Sequence, residues 1–309
     1  MQSDAIIIHQ PRQISCDRLT LNDPGAADVV VDVMHSGIST GTERLFWSGE
    51  MPDFPGMGYP LVPGYESAGR VTETAPAHRD LLGRYVFVPG ANCFGTVRGL
   101  FGATASRLVA PAARVVPVPD AMGERAVLLA LAATAFHATA NGAAQPELII
   151  GHGVVGRLLA RIAVLAGGRP VVWESNPARR DGAEHYHVCA PEDDARRDYK
   201  TIFDASGDHD ILDRLVQRLA PRGEIVLAGF YPRLGFAFAP AFMREARLRI
   251  AAQWQPDDLK DVLGLVCGGA LSLDGLITHH AAPADASSAY QSAFETSSCL
   301  KMIIDWNIP

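Results

Sequence analysis

The stretch ELIIGHGVVGRLLARIAVLAGGRPVVWE, residues 147–174, decides the fold of this chain. Its apolar run at residues 148–150 has no polar alternation, which is typical of a strand buried on both faces of a parallel sheet. The run ends at a cluster of glycines, and from residue 157 to residue 166 the apolar side chains recur at helical spacing. We therefore predict a strand, a glycine-rich turn and a helix in direct succession.

The glycines have the G-x-G-x-x-G spacing of a dinucleotide-binding turn. Gly151 permits the tight turn, Gly153 leaves room for a pyrophosphate, and Gly156 lets the helix pack against the strand. The first N–H groups of the helix would then face the phosphate oxygens. The alternative is a plain structural turn. The predicted cofactor contacts are Gly151, His152, Gly153, Val154, Val155 and Gly156.

Glu174 follows a second predicted strand, residues 170–173, at about the 20-residue spacing at which a dinucleotide fold places its ribose acceptor. A carboxylate there accepts hydrogen bonds from the ribose hydroxyls and repels the 2′-phosphate of NADP. The sequence therefore predicts NAD as the cofactor. Arg179 and Arg180 are close enough to attract that phosphate, but we interpret both as surface residues of the next turn.

The length and composition limit the class of protein. A chain of 309 residues exceeds one compact core, so two domains are expected. A net charge of −7 argues against nucleic acid or an anionic membrane surface as the main partner. The five cysteines include no C-x-x-C pair, which indicates neither a disulfide framework nor a thiol-rich zinc lobe. The N-terminus lacks the basic start of a signal peptide, and no apolar window reaches the ~20 residues of a membrane span. We therefore expect a cytoplasmic protein.

Two patterns divide the chain. Residues 1–120 carry short apolar runs punctuated by proline and glycine, the pattern of a small barrel. Residues 121–260 open with an alanine-rich helix, predicted over residues 122–141, and then alternate strand with helix, which implies a parallel sheet. Residues 261–309 hold a helix and a last strand, and we expect them to rejoin the first domain. The predicted strands are residues 6–8, 29–33, 68–71, 85–88, 106–109, 148–150, 171–173, 201–204, 224–229, 248–252 and 299–306.

Several segments resemble the medium-chain dehydrogenase/reductase superfamily, and together they cover essentially the whole chain. The resemblance implies an α/β protein in which a GroES-like β-barrel domain is joined to a Rossmann domain with a doubly wound parallel sheet. In this superfamily a zinc-ligating histidine usually stands where Tyr65 is found, and a cysteine where Ser39 is found, so the resemblance implies a site without metal. The segments are GYESAGRV at residues 64–71, SGISTGTE at 36–43, the glycine turn, and LITHHAAPADASSAYQSAF at 276–294.

Residues 36–66 and the segment VFVPGANCF at residues 86–94 resemble the branch of the superfamily that acts in bacteriochlorophyll biosynthesis. This resemblance implies an NAD-dependent dehydrogenase that oxidises the 3-(1-hydroxyethyl) group of a tetrapyrrole, bacteriochlorophyllide a or a related chlorin, to acetyl. A homodimer and a position at the periphery of the photosynthetic membrane stay open. The loop MPDFPGMGYPLVP, residues 51–63, is either an ordered structural loop or a lining for the pigment. In the second interpretation its substrate contacts are Phe54, Met57 and Tyr59.

Oxidation of a secondary alcohol removes a hydride from carbon and a proton from oxygen, and zinc normally assists the second step. Without zinc, we expect Ser39, Thr42 and Tyr65 to hydrogen-bond the substrate oxygen, with Glu66 behind them. The alternative is structural, because residues 40–43, TGTE, also match a capping box at the start of a helix. His35 is interpreted as a half-buried histidine in preference to a proton relay.

Further cofactor contacts are expected where strands of the parallel sheet end. They are Ser206, Gly207, Gly229 and Phe230. Thr134 is added because it resembles a family position near the cofactor, although back-bonding within its own helix explains it equally well. His185 and His187 lie in a polar stretch that favours a solvated face over a metal site. Two other functions remain open: a zinc-free quinone or enoyl reductase, and a dinucleotide-binding protein without turnover.

Overall fold

The computed structural model describes residues 1–53, 56–140, 145–231 and 233–308. The chain forms two compact units. The first unit combines Met1–Ala130 with Leu276–Pro309, and the second unit is Leu131–Gly275. The sequence pattern had suggested changes near residues 120 and 260. Within the described ranges, no helix is both long and apolar enough to cross a membrane.

The N-terminal part of the first unit is mostly strand. Its 3-10 helices are Pro76–Leu81, Ala112–Arg114 and Asp120–Leu128. Its strands and its helix are β1 Gln2–Gln10, β2 Gln13–Thr20, β3 Asp28–Ile38, α1 Thr42–Ser48, β4 Leu61–Val62, β5 Ser67–Thr74, β6 Tyr85–Val88, β7 Arg98–Gly99, β8 Arg107–Pro111 and β9 Val116–Pro117.

Strand and helix alternate through the second unit, and the chain then returns to the first. The elements of the second unit are α2 Leu129–Thr139, which begins at the boundary, β10 Leu148–Ile150, α3 Val154–Leu165, β11 Val171–Trp173, β12 His187–Cys189, β13 Tyr199–Asp204, α4 Leu212–Val216, β14 Leu219–Leu227, α5 Phe238–Met243, β15 Arg247–Ile250 and α6 Pro256–Cys267. The C-terminal return consists of β16 His279–Ala281, α7 Ala286–Glu295 and β17 Met302–Asp305.

The sheet of the second unit has six parallel strands in the order β12-β11-β10-β13-β14-β15. This confirms the predicted parallel sheet, with β10 at the point where the strand order reverses. Ile150 pairs with Trp173 on one side and with Asp204 on the other. The carboxyl ends of three neighbouring strands therefore lie level, where an open α/β sheet presents its ligand-binding groups.

The first unit holds two sheets. One has the order β2-β1-β4-β7, and the other the order β16-β17-β3-β5-β6-β9 with β8 also paired to β3. Strand β17 runs antiparallel to β3, with Ile304 opposite Ser36. One core cluster joins the return to the N-terminal strands, because Tyr290 and Ile304 pack with Ile6 and Ile38. Burial of one such apolar side chain stabilises the folded state by roughly 1.5–3 kcal/mol. The C-terminal return is therefore part of the core of the first unit.

The structure differs from the sequence prediction at several elements. The alanine-rich helix expected from residue 122 begins only at Leu129, because the preceding 3-10 segment is interrupted at Gly123, whose φ is +53°. The short strand predicted at residues 6–8 is the centre of the longer β1, which forms a hairpin with β2. Strand β12 was not predicted, since its sequence HVC is too short for a periodic pattern.

Candidate functional site

The site in the first unit is a pair of hydroxyl groups. Ser39 follows β3 and Tyr65 precedes β5, and these two strands are antiparallel neighbours with Ser36 opposite Ser67. This register brings Ser39 Oγ within 2.6 Å of the Tyr65 hydroxyl, and either oxygen is able to donate. The structure thus brings together Ser39 and Tyr65, the two residues that the resemblance sets in place of zinc ligands.

The Tyr65 hydroxyl is a neutral donor at physiological pH. Burial, and after it the Glu66 carboxylate, raise the pKa of Tyr65 far above its ordinary value, while hydrogen bonds with Ser39 and Thr42 oppose this rise. The Tyr65 ring packs edge-to-face on Phe101, with 5.7 Å between ring centroids. Because Thr42 also hydrogen-bonds Tyr65, the side chains of Ser39, Thr42 and Tyr65 form one hydroxyl cluster, and their contact with a substrate oxygen stays a prediction.

Glu43 lies beside the hydroxyl pair, in the segment for which a capping box was the alternative interpretation. The N-cap of α1 is Gly41 and makes no side-chain capping bond, so the capping box at residues 40–43 does not form. The Glu43 carboxylate is fully buried and accepts hydrogen bonds from Ser39 N at 3.0 Å and from the Tyr290 hydroxyl at 2.7 Å. Burial raises the pKa of Glu43 to about 7, although these two hydrogen bonds lower it.

Glu66 follows Tyr65 in the chain, and its buried carboxylate is paired with Lys301, a residue that the sequence interpretation did not name. Lys301 Nζ donates to Glu66 Oε2 at 2.6 Å and to the Ile38 carbonyl at 3.0 Å. Both charged side chains are essentially inaccessible, at 1% and 0% exposure for Lys301 and Glu66. Burial raises the pKa of Glu66, and the Lys301 cation opposes this. Nothing in the sequence around Lys301 signals this role.

Metal-binding geometry is not found at this site. Across the described part of the chain, one group of three ligand-type side chains lies close enough to hold an ion, and it is the exposed Asp208, His209 and Asp210.

His35 is half-buried, and burial lowers its pKa. His185 and His187 are exposed, in line with a solvated face.

The predicted substrate contacts are only partly described. Phe54 lies outside the described residues. Met57 and Tyr59 are half-buried and pack against a core cluster that includes Phe46 and Leu61. The Tyr59 hydroxyl donates to the Phe46 carbonyl. Both side chains thus help to build the loop, and contact with a pigment stays a prediction.

In the second unit, the glycine turn has the predicted sterics. Gly151 has φ +91°, which favours glycine. A Cβ at Gly156 would lie 1.9 Å from the Gly151 carbonyl oxygen, so α3 could not approach the turn with any larger residue. A Cβ at Gly153 would meet nothing within 4 Å, because the space before the first turn of α3 is open. This open space fits a pyrophosphate facing the N–H groups of Val154 and Val155.

Glu174 is held in one orientation beside that turn. It is 9% exposed, and its carboxylate accepts hydrogen bonds from His152 N at 3.0 Å and Asn176 N at 2.8 Å. The remaining lone pairs suit the two ribose hydroxyls. Arg180 donates to the Glu174 and Ser175 carbonyls, so its guanidinium is engaged with the backbone after β11.

The buried His152 side chain holds the loop around the glycine turn together by hydrogen bonds. Its Nδ1 lies 2.6 Å from the Arg179 carbonyl and its Nε2 lies 2.8 Å from the Tyr186 hydroxyl. Burial lowers the pKa of His152 to about 4, so the ring is neutral, Nδ1 donates and Nε2 accepts. Arg157 donates to the His152 carbonyl and to the Arg179 carbonyl. We expect His152 to act on a cofactor through the shape of this loop.

The other predicted cofactor residues lie at the carboxyl ends of β13 and β14. The Ser206 hydroxyl donates to Asp204 Oδ1 at 2.7 Å, and Gly207 follows with φ +76°. A Cβ at Gly229 would lie 2.5 Å from the Tyr231 hydroxyl, which donates to Asp204 Oδ2 at 2.8 Å. Asp204 and Tyr231 therefore organise this edge, and the sequence interpretation gave neither side chain a role. Phe230 is half-exposed, and Thr134 is half-buried on α2.

Known proteins resemble this chain both in its N-terminal domain and over its full length. Residues 25–120 match the alcohol dehydrogenase GroES-like domain. The chain is 58% identical to the 2-desacetyl-2-hydroxyethyl bacteriochlorophyllide A dehydrogenase of Rhodobacter capsulatus, and 55% identical to the protein of that name from Cereibacter sphaeroides, over 99% of each chain. A short chain alcohol dehydrogenase from Escherichia coli, solved in complex with NADH, has a TM-score of 0.83 at 20% identity over 99% of both chains. At that identity the likeness shows the fold.

The two units are those of a dehydrogenase built from a GroES-like domain and a dinucleotide-type parallel sheet. The chain belongs to the medium-chain dehydrogenase/reductase family, and the predicted fold class is confirmed. Within that family, the relatives at 58% and 55% identity are both bacteriochlorophyllide dehydrogenases by name.

Proposed function

We propose that this protein oxidises the 3-(1-hydroxyethyl) group of bacteriochlorophyllide a, or of a related chlorin, to a 3-acetyl group, with NAD⁺ as the hydride acceptor. The observation that carries the proposal is the identity of 58% and 55%, over 99% of the chain, to two dehydrogenases named for this hydroxyethyl pigment. The Ser39–Tyr65 pair is the matching chemical feature, because it offers two hydroxyl groups to an alcohol oxygen.

The residues of the first unit act on the substrate oxygen. The carbinol carbon loses a hydride, the oxygen loses a proton, and the products are the acetyl group, reduced cofactor and H⁺. Tyr65, kept neutral by its raised pKa, donates to the oxygen and stabilises the alkoxide character that develops there. Ser39 links Tyr65 to the buried Glu43, whose pKa of about 7 makes its charge depend on pH in the working range.

The site chemistry does not suit zinc. A serine hydroxyl and a neutral phenol are poor substitutes for the thiolate and imidazole ligands that zinc requires. We therefore expect no stoichiometric zinc in the purified protein and no loss of turnover on treatment with a chelator. A full equivalent of zinc, lost together with activity, would refute this part of the proposal.

The second unit has the features of a nicotinamide-dinucleotide site, and the cofactor, when bound, supplies the hydride acceptor. Gly153 leaves the phosphate space open, and Glu174 is fixed to accept the ribose hydroxyls. A 2′-phosphate would meet the Glu174 carboxylate, so we propose NAD over NADP. Binding constants for the two cofactors test this, and tighter binding of NADP⁺ would reverse the assignment.

The function is tested by mixing the purified protein, NAD⁺ and the hydroxyethyl pigment. Oxidation conjugates a new carbonyl with the macrocycle, so the long-wavelength absorbance band should shift as NADH appears in equal amount. A protein that binds the cofactor without this turnover would be a non-catalytic dinucleotide-binding protein. Consumption of reduced cofactor with a quinone or an enoyl substrate, and none with the pigment, would indicate a reductase.

We also propose that the protein forms a homodimer. Strand β15 ends the six-stranded order, and large apolar side chains around it are exposed. A sheet edge flanked by such a surface is usually covered. Light scattering should give twice the monomer mass, and association with a membrane surface stays a separate prediction. The exposed side chains are Phe236, Phe238, Phe242, Met243, Leu248 and Ile250.

A further inference from the structure

We infer that Lys301 is a positioning residue for the proposed oxidation: from the C-terminal return, its ammonium group holds the Ser39–Tyr65 hydroxyl pair in one geometry. The inference rests on the proposed function. It adds a residue that does not contact the substrate oxygen and that neither the sequence motifs nor the hydroxyl pair itself would identify.

The geometry of the Lys301 ammonium group is specific. One of its hydrogen bonds goes to the carbonyl of Ile38, the residue before Ser39, at 3.0 Å. Another goes to the carboxylate of Glu66, the residue after Tyr65, at 2.6 Å. A single cation thus ties together the two backbone segments that carry the hydroxyls. Ser39 Oγ and the Tyr65 hydroxyl stand 2.6 Å apart across this link.

The Glu66 end of the link has little freedom to move. Its carboxylate is fully buried, and within the described residues Oε1 has no hydrogen-bond partner, so Lys301 is the group that holds it. A Cβ at Gly37 would lie 2.5 Å from Glu66 Oε2, and Gly37 N donates to the Glu66 carbonyl at 2.7 Å. Loss of the cation would leave an uncompensated buried carboxylate, which must protonate or move and would carry Tyr65 with it.

A second set of hydrogen bonds from the C-terminal return reaches Ser39 through Glu43. Tyr290 on α7 donates to Glu43, and Glu43 accepts from Ser39 N. The ionisable groups that face one another here are Glu43 from α1, Tyr65 and Glu66 beside β5, Tyr290 from α7 and Lys301 beside β17. The Lys301 charge lowers the pKa of both Glu43 and Glu66 against the effect of burial.

A merely structural lysine would behave differently from a positioning lysine. Well-packed apolar side chains often replace buried ion pairs with no loss of stability, so packing alone does not require a charge at this position. A positioning role predicts that charge and geometry at residue 301 control turnover, even in a variant that folds normally. The two roles therefore separate in the pH profile and in the division of effects between kcat and KM.

The experiment uses the full chain with Lys301→Met, Lys301→Arg and the neutral double variant Lys301→Met with Glu66→Gln. The exposed Lys260 on α6, changed to Met, is the control. We expect Lys301→Met to lower kcat at least about tenfold, with KM for the pigment and Kd for NAD⁺ within about threefold. Its kcat–pH profile should shift to higher pH, because the cation no longer lowers the pKa of Glu43. Lys301→Arg should recover part of kcat and keep the profile, and Lys260→Met should match the wild type.

Each outcome decides between the proposals. No turnover of the pigment by the wild type refutes the proposed function and this inference with it. Wild-type turnover that Lys301→Met leaves unchanged in rate and pH profile refutes the inference alone. If Lys301→Met does not fold, the double variant and Lys301→Arg replace it. A folded double variant with wild-type kcat and pH profile then overturns the inference, and a tenfold loss with partial recovery in Lys301→Arg supports it.

Discussion

At the scale of single residues, two buried carboxyl groups of the first unit are stabilised in different ways. Glu66 is paired with a cation, whereas the hydrogen bonds that Glu43 accepts from the described residues come from neutral donors, the Tyr290 hydroxyl and Ser39 N. Neutral donors offset desolvation less than a full charge does. Glu43 is therefore the group whose pKa, at about 7, lies within the working pH range.

Glu43→Gln should make stability less dependent on pH. The pKa of Glu43 is raised from 4.5 to about 7 in the folded protein. The contribution of this carboxyl group to stability is therefore fully present below pH 4.5 and is lost as pH rises through 7. Glutamine resembles the protonated carboxyl. Relative to the wild type, the free energy of unfolding of the variant should therefore rise between pH 5 and pH 8, by at most about 3 kcal/mol. Urea unfolding at the two pH values measures this.

The control for that variant is Glu73→Gln, which changes an exposed carboxylate of the same unit. It should show the same pH dependence as the wild type. A constant difference between Glu43→Gln and the wild type at both pH values would mean that Glu43 does not titrate in this range.

Tyr65→Phe should lower turnover more than substrate binding. The ring and its edge-to-face contact with Phe101 are kept, while the hydroxyl that bonds Ser39 is lost. If the phenol stabilises charge that develops only in the transition state, kcat should fall about 10²-fold with little change in KM. Tyr85→Phe, which removes a hydroxyl bonded to Gly123, is the matched control and should keep kcat. Equal kcat in Tyr65→Phe and the wild type would remove Tyr65 from the mechanism.

At the scale of elements, the unit of strand β10, glycine turn and helix α3 combines two kinds of glycine. Gly156 is required for packing, because its missing Cβ makes room for the Gly151 carbonyl. Gly153 borders open space and is not required for packing. We therefore expect this motif to serve folding through Gly156 and cofactor binding through Gly153.

Gly156→Ala and Gly153→Ala should impair different properties, the first the stability of the fold and the second the affinity for NAD⁺. Gly156→Ala forces α3 away from the turn, and we expect a loss of about 2 kcal/mol or more in the free energy of unfolding. Gly153→Ala should change stability by less than about 1 kcal/mol but weaken NAD⁺ binding about tenfold or more, since its methyl group enters the phosphate space. Urea unfolding and cofactor titration of both variants check this. Unchanged NAD⁺ affinity in Gly153→Ala would place the pyrophosphate elsewhere.

At the scale of the whole molecule, the C-terminal return completes the first unit. Strand β17 lies between β16 and β3, and α7 packs on the same core. The return also carries Tyr290 and Lys301, so one segment supplies both core packing and the polar groups that surround the site.

Ile304→Ala should destabilise the protein strongly. Ile304 is fully buried in β17, and removal of a buried isoleucine side chain to alanine typically costs about 2–5 kcal/mol. Ile308, four positions later in the chain and 45% exposed, is the matched control, and Ile308→Ala should change stability by about 0.5 kcal/mol or less. Urea unfolding followed by tryptophan fluorescence measures both. A loss below about 1 kcal/mol in Ile304→Ala would mean that the return contributes little to the fold.

The sequence by itself determined the features whose information is local. The run from β10 through the glycine turn to Glu174 predicts the parallel sheet and the dinucleotide site, because strand, turn, helix and carboxylate follow one another in fixed order. In that run a short pattern fixes the backbone conformation and the position of the side chains on it. Ser39 and Tyr65 were singled out differently, through the resemblance of their segments to the superfamily's metal-ligand segments.

Only the tertiary structure decided what surrounds the hydroxyl pair. Lys301 and Glu66 are 235 residues apart in sequence, and Tyr290 and Glu43 are 247 apart. No periodicity or spacing relates positions so distant, and an isolated lysine or glutamate is normally a surface residue. The local pattern around Glu43 fits a capping box, yet in the structure β17 pairs with β3 and Tyr290 of α7 donates to the buried Glu43 carboxylate. Burial of these charges arises from strand pairing across the whole chain, and that burial sets their partners and their pKa values.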